Sequence, residues 1–156
     1  MKENNILLTR IDNRLIHGQI VCSWAGTTGA NLIVVADDET AESTVEQSVM
    51  KMAASALGYD TRFFTLQKTI EVIANANHNQ KILLVCKTPA ALRTLIEGGV
   101  WIKKVDIGNL HFSEGKKKLS DKVYVDENDV EDLNYIKEHV EDIYIQDSPD
   151  STKQQY

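Results

Sequence analysis

The chain has 156 residues, 42% hydrophobic and 26% charged, which suits a single soluble globular domain spanning 1–156 with a substantial core. A net charge of −6 and an isoelectric point near 5.2 argue against a nucleic-acid partner, because general nucleic-acid binders carry a basic excess or a basic stripe. No apolar run reaches about 18 residues, and the N-terminus, with Lys2 and Glu3, lacks an apolar leader region. A cytoplasmic protein with no membrane insertion of its own is therefore expected.

In chain order, short runs rich in Ile, Val and Leu read as strands at residues 6–8, 32–36, 63–64, 82–85, 105–107, 123–125 and 143–145. The runs at 6–8, 32–36 and 82–85 are nearly continuous, as strands covered on both faces tend to be. Helical patterns lie between them. One covers roughly residues 40–57, where Val45, Val49, Met52, Ala53 and Leu57 recur at helical spacing. A second opens at Thr88-Pro89, an N-cap followed by proline at the first helical position, and closes at Gly98-Gly99. A third follows Asp126, with Val130, Leu133 and Ile136 on one face.

Strands alternating with helices predict an α/β fold: an open, mostly parallel sheet of about six to seven strands with helices on both faces. The stretch between the runs at 105 and 125 is too short for a full helix, so residues 111–119 read as a turn beside an antiparallel or mixed edge. Lys116, Lys117 and Lys118 then form a solvated turn, and the polar residues 147–156 a frayed tail. Cys22 and Cys86 each sit in an apolar stretch without CxxC spacing and read as buried free thiols. The four histidines show no metal-ligand spacing, so neither a metal nor a cofactor is expected.

In open α/β sheets ligands bind beyond the carboxyl ends of the strands. The first such segment, residues 9–19, concentrates Arg10, Asp12, Asn13, Arg14 and His17 just ahead of a helix that starts at Gln19. A helix N-terminus presents free N–H groups and a partial positive charge to an anion. Arginine adds a fork that matches phosphate oxygens. Local chemistry thus points to a phosphate site with His17 as attacker or contact, and leaves a merely structural histidine as an even alternative.

The string Arg10-Ile-Asp-Asn-Arg14-Leu-Ile-His17-Gly18-Gln19-Ile20-Val21, followed by Trp24, resembles the signature of the mannose/fructose/sorbose family of phosphotransferase-system (PTS) enzyme IIB components. The likeness runs on through residues 30–35 and the acidic pair Asp37-Asp38 to the last α/β unit, and so covers essentially the whole chain. The resemblance implies that His17 is phosphorylated on Nδ1, the pros nitrogen, by phospho-EIIA, and then passes the group to a sugar held by membrane EIIC/EIID. The activity implied is that of a protein-N(pi)-phosphohistidine–sugar phosphotransferase, peripherally associated with its permease. It further implies that Arg14 binds the phosphoryl group with Arg10 assisting, that Gly18 lets the backbone approach, and that Gln19 starts the helix. Asp12 and Asn13 take supporting roles, and the family allows a homodimer. The stretch from Trp24 to Asn31 looks most like the N-acetylgalactosamine/hexosamine branch.

Thr88 reads first as an N-cap and second as a phosphate contact. Asn109 and His111 depart from the commoner family pattern, and Trp24 reads as a packing anchor that buttresses the active loop. The competing readings are a small α/β phosphate- or nucleotide-binding regulatory module, with Arg10 and Arg14 as passive anion ligands, and a phosphatase using His17 as nucleophile.

Overall fold

The computed structural model describes residues 3–156; Met1 and Lys2, and with them part of the expectation about the N-terminus, lie outside the described residues. The β-branched runs form six parallel strands: β1 (Ile6–Asp12), β2 (Leu32–Ala36), β3 (Asp60–Phe64), β4 (Ile82–Cys86), β5 (Lys104–Asn109) and, after a two-stranded ribbon, β8 (Asp142–Ile145). A terminal strand β9 (Gln154–Gln155) pairs antiparallel with β8, giving a seven-stranded sheet in the order β3-β2-β4-β1-β5-β8-β9. The ribbon, β6 (Lys117–Ser120) against β7 (Val123–Val125), is antiparallel and stands apart from the main sheet. The expected antiparallel edge is thus realised twice, in the ribbon and in β9.

Helices cover both faces. On one side α1 (Ile20–Thr28) and α3 (Thr44–Ser55) close a cluster built from Leu8, Ile33, Val35, Leu83 and Val85. On the other, α4 (Leu66–Val72), α5 (Pro89–Glu97) and α6 (Glu127–His139) cover the opposite faces of the same strands. All of β2 and β4 is buried, which accounts for their unbroken apolar sequence. No helix among the described residues is long and apolar enough to cross a membrane.

Three expectations are corrected. The stretch 40–57 is two helices, α2 (Asp38–Ala41) and α3, because the side chains of Asp37 and Ser43 each accept a backbone N–H and cap a separate start. Gln47 then donates its amide to the carbonyls of Thr40 and Ala41, satisfying the end of α2. The apolar stripe of α3 does not face the core: Ala54 is buried and Met50 and Ala53 pack inward, while Val45, Val49 and Met52 are exposed. Lys117 and Lys118 lie in β6, and Lys116 pairs with Asp129 at 2.7 Å, so the basic run is not a free turn. The C-terminal residues are docked, not frayed. Beyond the β8 ladder, Lys137 donates to the Tyr156 carbonyl at 2.8 Å and the Tyr156 hydroxyl donates to Asn134 at 2.9 Å.

The sheet order places β1 beside both β4 and β5, and the chain winds one way from β1 through α1 and the other way from β4 through α5. The crevice beyond the carboxyl ends of β1 and β4 is therefore the topological switch point, where such sheets bind ligands.

The docked tail carries a prediction. Removing residues 154–156 takes away β9 and its side-chain anchors, and should cost about 1 kcal/mol, read as a Tm lower by about 2–4 °C. An unchanged Tm would mean that the tail contributes nothing in solution.

Candidate functional site

β1 runs four residues further than its apolar run, to Asp12, because the charges that follow are paired inside the protein. Arg10 and Asp12 are therefore strand residues, and the loop proper is Asn13 to Gln19. Asn13 staples this loop to its neighbours. Its amide donates to the Lys87 carbonyl at 3.0 Å, its side-chain oxygen accepts from the His111 N–H at 2.6 Å, and its own N–H donates to the Asn109 carbonyl. Leu15 is held at φ 58°, a left-handed conformation that a branched side chain adopts only under constraint. Burial supplies the constraint: Leu15 and Ile16 sink into the cluster with Val21, Trp24 and Val85. His17, the next residue, is exposed at the tip.

Gly18 follows at φ 56°, so the turn into α1 uses a second left-handed residue where glycine carries no steric cost. Gln19 is the N-cap residue but makes no side-chain cap hydrogen bond, whereas each of α2 to α6 is capped by Asp37, Ser43, Thr65, Thr88 or Asp126. The first N–H groups of α1 thus have no side-chain acceptor, and the helix begins at Ile20, three residues beyond His17.

Beneath the loop is a buried ion network. Asp12 accepts from the Arg14 N–H at 2.9 Å and from its guanidinium at 3.1 and 3.2 Å, and also faces the Arg10 guanidinium. Arg10 is fully buried. It donates to Asp106 on β5 at 2.5 Å and to the Gln146 carbonyl at 3.0 Å, and lies 5.6 Å over the Trp24 ring. Asp147 sits 3.8 Å from both guanidinium groups. Its backbone carbonyl accepts the Trp24 indole N–H at 3.0 Å, which ties α1 to the same network. A methyl group at Gly108 would collide with the Arg10 guanidinium, so glycine at that position makes the room.

The expected phosphate-binding role of Arg10 is corrected by this geometry: its guanidinium has no exposed surface and is committed to carboxylates and a carbonyl. Arg14, by contrast, keeps part of its side chain in solvent and lines a depression of about 350 Å³ together with His17, Val45, Glu46, Val49 and Lys87. Asp12 holds Arg14 through both carboxylate oxygens. The Thr88 hydroxyl caps α5 by accepting from the Ala91 N–H at 3.1 Å, and Thr88 does not line the depression. Asp37 caps α2 and Asp38 accepts from the Leu66 N–H, both helix-entry roles.

Sequence reasoning overlooked four contributors: Lys87, Asp106, Asp147 and the outward side of α3. Lys87 stands directly before the Thr-Pro helix start at the end of β4, a position the switch-point rule could have marked. Asp106 is a charge inside an apolar strand run, which in itself calls for a buried partner.

Comparison with known proteins gives a consistent result. The family described as PTS system sorbose subfamily IIB component matches residues 6–155. The chain is 52% identical to the N-acetylgalactosamine-specific phosphotransferase enzyme IIB component 1 of Escherichia coli K12, over 99% of this chain and 98% of that one. It is 35% identical to the mannose-specific EIIAB component of the same organism over 80% of this chain, which is 38% of that longer protein. Its fold is similar to the crystal structure of the E. coli PTS system N-acetylgalactosamine-specific IIB component 1, with a TM-score of 0.94, covering 97% of this chain and 99% of that one. A PTS-dependent N-acetyl-galactosamine IIB component from Streptococcus pyogenes superposes with a TM-score of 0.88 at 31% identity, covering 97% of this chain and 93% of that one.

The ion network makes stability depend on pH. Burial pushes the Asp106 carboxyl up to about 7; Arg10 opposes the rise and the Asp12 charge adds to it. In the unfolded chain the same group titrates near its ordinary value of 3.8. Between those two values the folded state holds a proton that the unfolded state has lost, so this group's contribution to stability falls as pH rises through the window and is flat above it. Asp106→Asn should remove that slope. Urea unfolding from pH 4 to 8 should show the stability difference, wild type minus variant, shrinking as pH rises, and parallel curves would contradict the assignment.

Proposed function

The chain belongs to the sorbose subfamily of PTS IIB components, and from that premise we propose that His17 is the residue that carries the phosphoryl group. Its role is sugar phosphotransfer together with EIIA and membrane EIIC/EIID partners. The observation that carries the assignment is the exposure of His17 on a loop otherwise nailed down by Leu15, Ile16 and Asn13, in one depression with Arg14. A nucleophile that two proteins must reach has to be exposed, and in-line transfer requires that it be held still.

In the reaction, the His17 Nδ1 lone pair forms a bond to phosphorus as the phosphorus–nitrogen bond of phospho-EIIA breaks, and that electron pair returns to the donor imidazole. A donor protonated on its distal nitrogen leaves as neutral imidazole, and His17 becomes the protonated phosphoimidazole, so no separate acid or base is needed. Negative charge lies on the three equatorial oxygens. The Arg14 fork suits two of them, and the uncapped N–H groups at the start of α1, with Gly18 and Gln19, add a positive field. The second transfer delivers the group to a sugar bound by EIIC/EIID, which makes the overall activity that of a protein-N(pi)-phosphohistidine–sugar phosphotransferase. Two relatives, 52% and 47% identical, are named as specific for N-acetylgalactosamine, and that sugar is the proposed substrate.

Val45 and Val49 line the same depression as His17 and offer a protein partner an apolar wall that excludes water during transfer. This favours protein-to-protein transfer over hydrolysis. We place the chain in the cytoplasm, held at the membrane by its permease partners, and a homodimer remains compatible with this role.

The test is phosphorylation with phosphoenolpyruvate, the general phosphocarriers and cognate EIIA. Wild type should gain an acid-labile, alkali-stable phosphoryl group and His17→Ala none; wild type left unlabelled by an active EIIA would overturn the assignment. Arg14→Lys replaces a fork by a point charge and should slow transfer about tenfold, with the Tm changed by less than about 2 °C. An unchanged rate would remove Arg14 from the mechanism.

A further inference from the structure

We propose that Lys87 is a second cationic ligand of the phosphoryl group, supplied from just beyond the end of β4 into the depression that Arg14 lines. The inference rests on His17 being the carrier, and it concerns a residue that the sequence motif around His17 does not contain.

Three observations support it. First, the position of Lys87 is fixed relative to the His17 loop, because its backbone carbonyl accepts the Asn13 amide at 3.0 Å and β4 is a direct sheet neighbour of β1. Second, its side chain lines the same depression as Arg14 and His17. Third, its ammonium is only loosely engaged, lying 3.6 Å from Asp37 Oδ2 and 3.9 Å from Glu39 Oε2. Those distances are ion-pair contacts, longer than a charge-assisted hydrogen bond. Asp37 Oδ2 is already accepting from the Thr40 N–H and hydroxyl, and Glu39 is largely exposed, so water screens it.

A phosphoryl group in transit exposes three oxygens, and a single guanidinium fork spans two. A second cation in the same depression, on a flexible four-carbon stem, can leave a weak carboxylate pairing for the remaining oxygen. Of the acidic groups nearby, Asp37 and Glu39 pair with Lys87 itself, and Glu46 lines the depression and accepts from the Thr40 hydroxyl at 3.3 Å. The incoming phosphoryl group thus competes with carboxylates for Lys87, and does so at the moment charge develops. Lys87 keeps its protons throughout. The bond that forms is from His17 nitrogen to phosphorus, the bond that breaks is from donor nitrogen to phosphorus, and Lys87 neutralises oxygen charge.

Rapid-quench transfer from radiolabelled phospho-EIIA tests this on wild type, Lys87→Met and Lys87→Arg across a range of donor concentrations. Lys87→Met should lower the saturating transfer rate about tenfold or more while the half-saturating donor concentration stays within about twofold, and Lys87→Arg should restore most of the rate. Wild type labelled normally, with Lys87→Met at the wild-type saturating rate, overturns the role of Lys87 and leaves His17 intact. A change confined to the half-saturating concentration also overturns it, because Lys87 would then serve docking alone. Failure to label wild type would instead strike at the carrier assignment. Thermal unfolding of both variants, expected within about 2 °C of wild type, separates a lost contact from a lost fold.

Discussion

The carboxylate of Asp12 is the contact on which the rest of the site depends. It is buried at the end of the central strand and is shared by two guanidinium groups, one pointing into the sheet and one toward the loop. Through Arg10 it is coupled to Asp106 on β5 and to the Gln146 carbonyl, and through Arg14 to the surface where His17 stands. Buried ion pairs of this kind add little net stability, because desolvation offsets the Coulombic gain. What they fix is position. A guanidinium satisfied on several sides has one low-energy placement, and the next ligand in the chain of contacts inherits that precision.

Burial, together with the charge balance of the cluster, accounts for the raised Asp106 carboxyl. Asp12, Asp106 and Asp147 face two guanidinium groups, so full ionisation would leave one negative charge in a poorly solvated space. Asp106 is the most enclosed of the three, and it is the group whose carboxyl is pushed up. Asp147 is nearer solvent and lies 3.8 Å from both guanidinium groups. Arg14, the proposed phosphoryl ligand, begins hydrogen-bonded to Asp12 and keeps part of its side chain in solvent, while Arg10 is fully buried among its partners.

Much of the fold was legible in the sequence because the strand runs and caps are local signals. Thr88-Pro89 and Asp126 started helices where they were expected, and the apolar runs at β2 and β4 are the buried strands they resemble. The failures share one physical cause, that a partner distant in sequence changed the meaning of a residue. Arg10 looked like a loop cation because a charge inside a strand is costly, and only the register that sets Arg10 opposite Asp106 makes it affordable. The valines of α3 recur at helical spacing, but periodicity reports amphipathicity and not which side is covered; the helix buries Ala54 and leaves Val45 and Val49 outside. The tail looked frayed by composition, yet its backbone finds the open edge of β8. For the site, the string around His17 contains the proposed nucleophile and Arg14, while Lys87 follows a different strand and no local string could contain it.

The same division explains why the loop tolerates strain. Leu15 in a left-handed conformation costs about 1–3 kcal/mol, which a freely moving loop would relieve by rearranging. Here the side chain is buried, and the backbone is held on one side by Asp12 and on the other by Asn13, so relief would mean pulling Leu15 out of the core and breaking the staple to β4 and β5. The strain is maintained because it turns the chain sharply enough to leave His17 outside while its two predecessors stay inside. An exposed nucleophile on a mobile loop would lose conformational freedom with each partner in turn; one held by buried neighbours has already lost it on folding. For a carrier that must meet a donor and an acceptor in succession, this lowers the cost of both encounters.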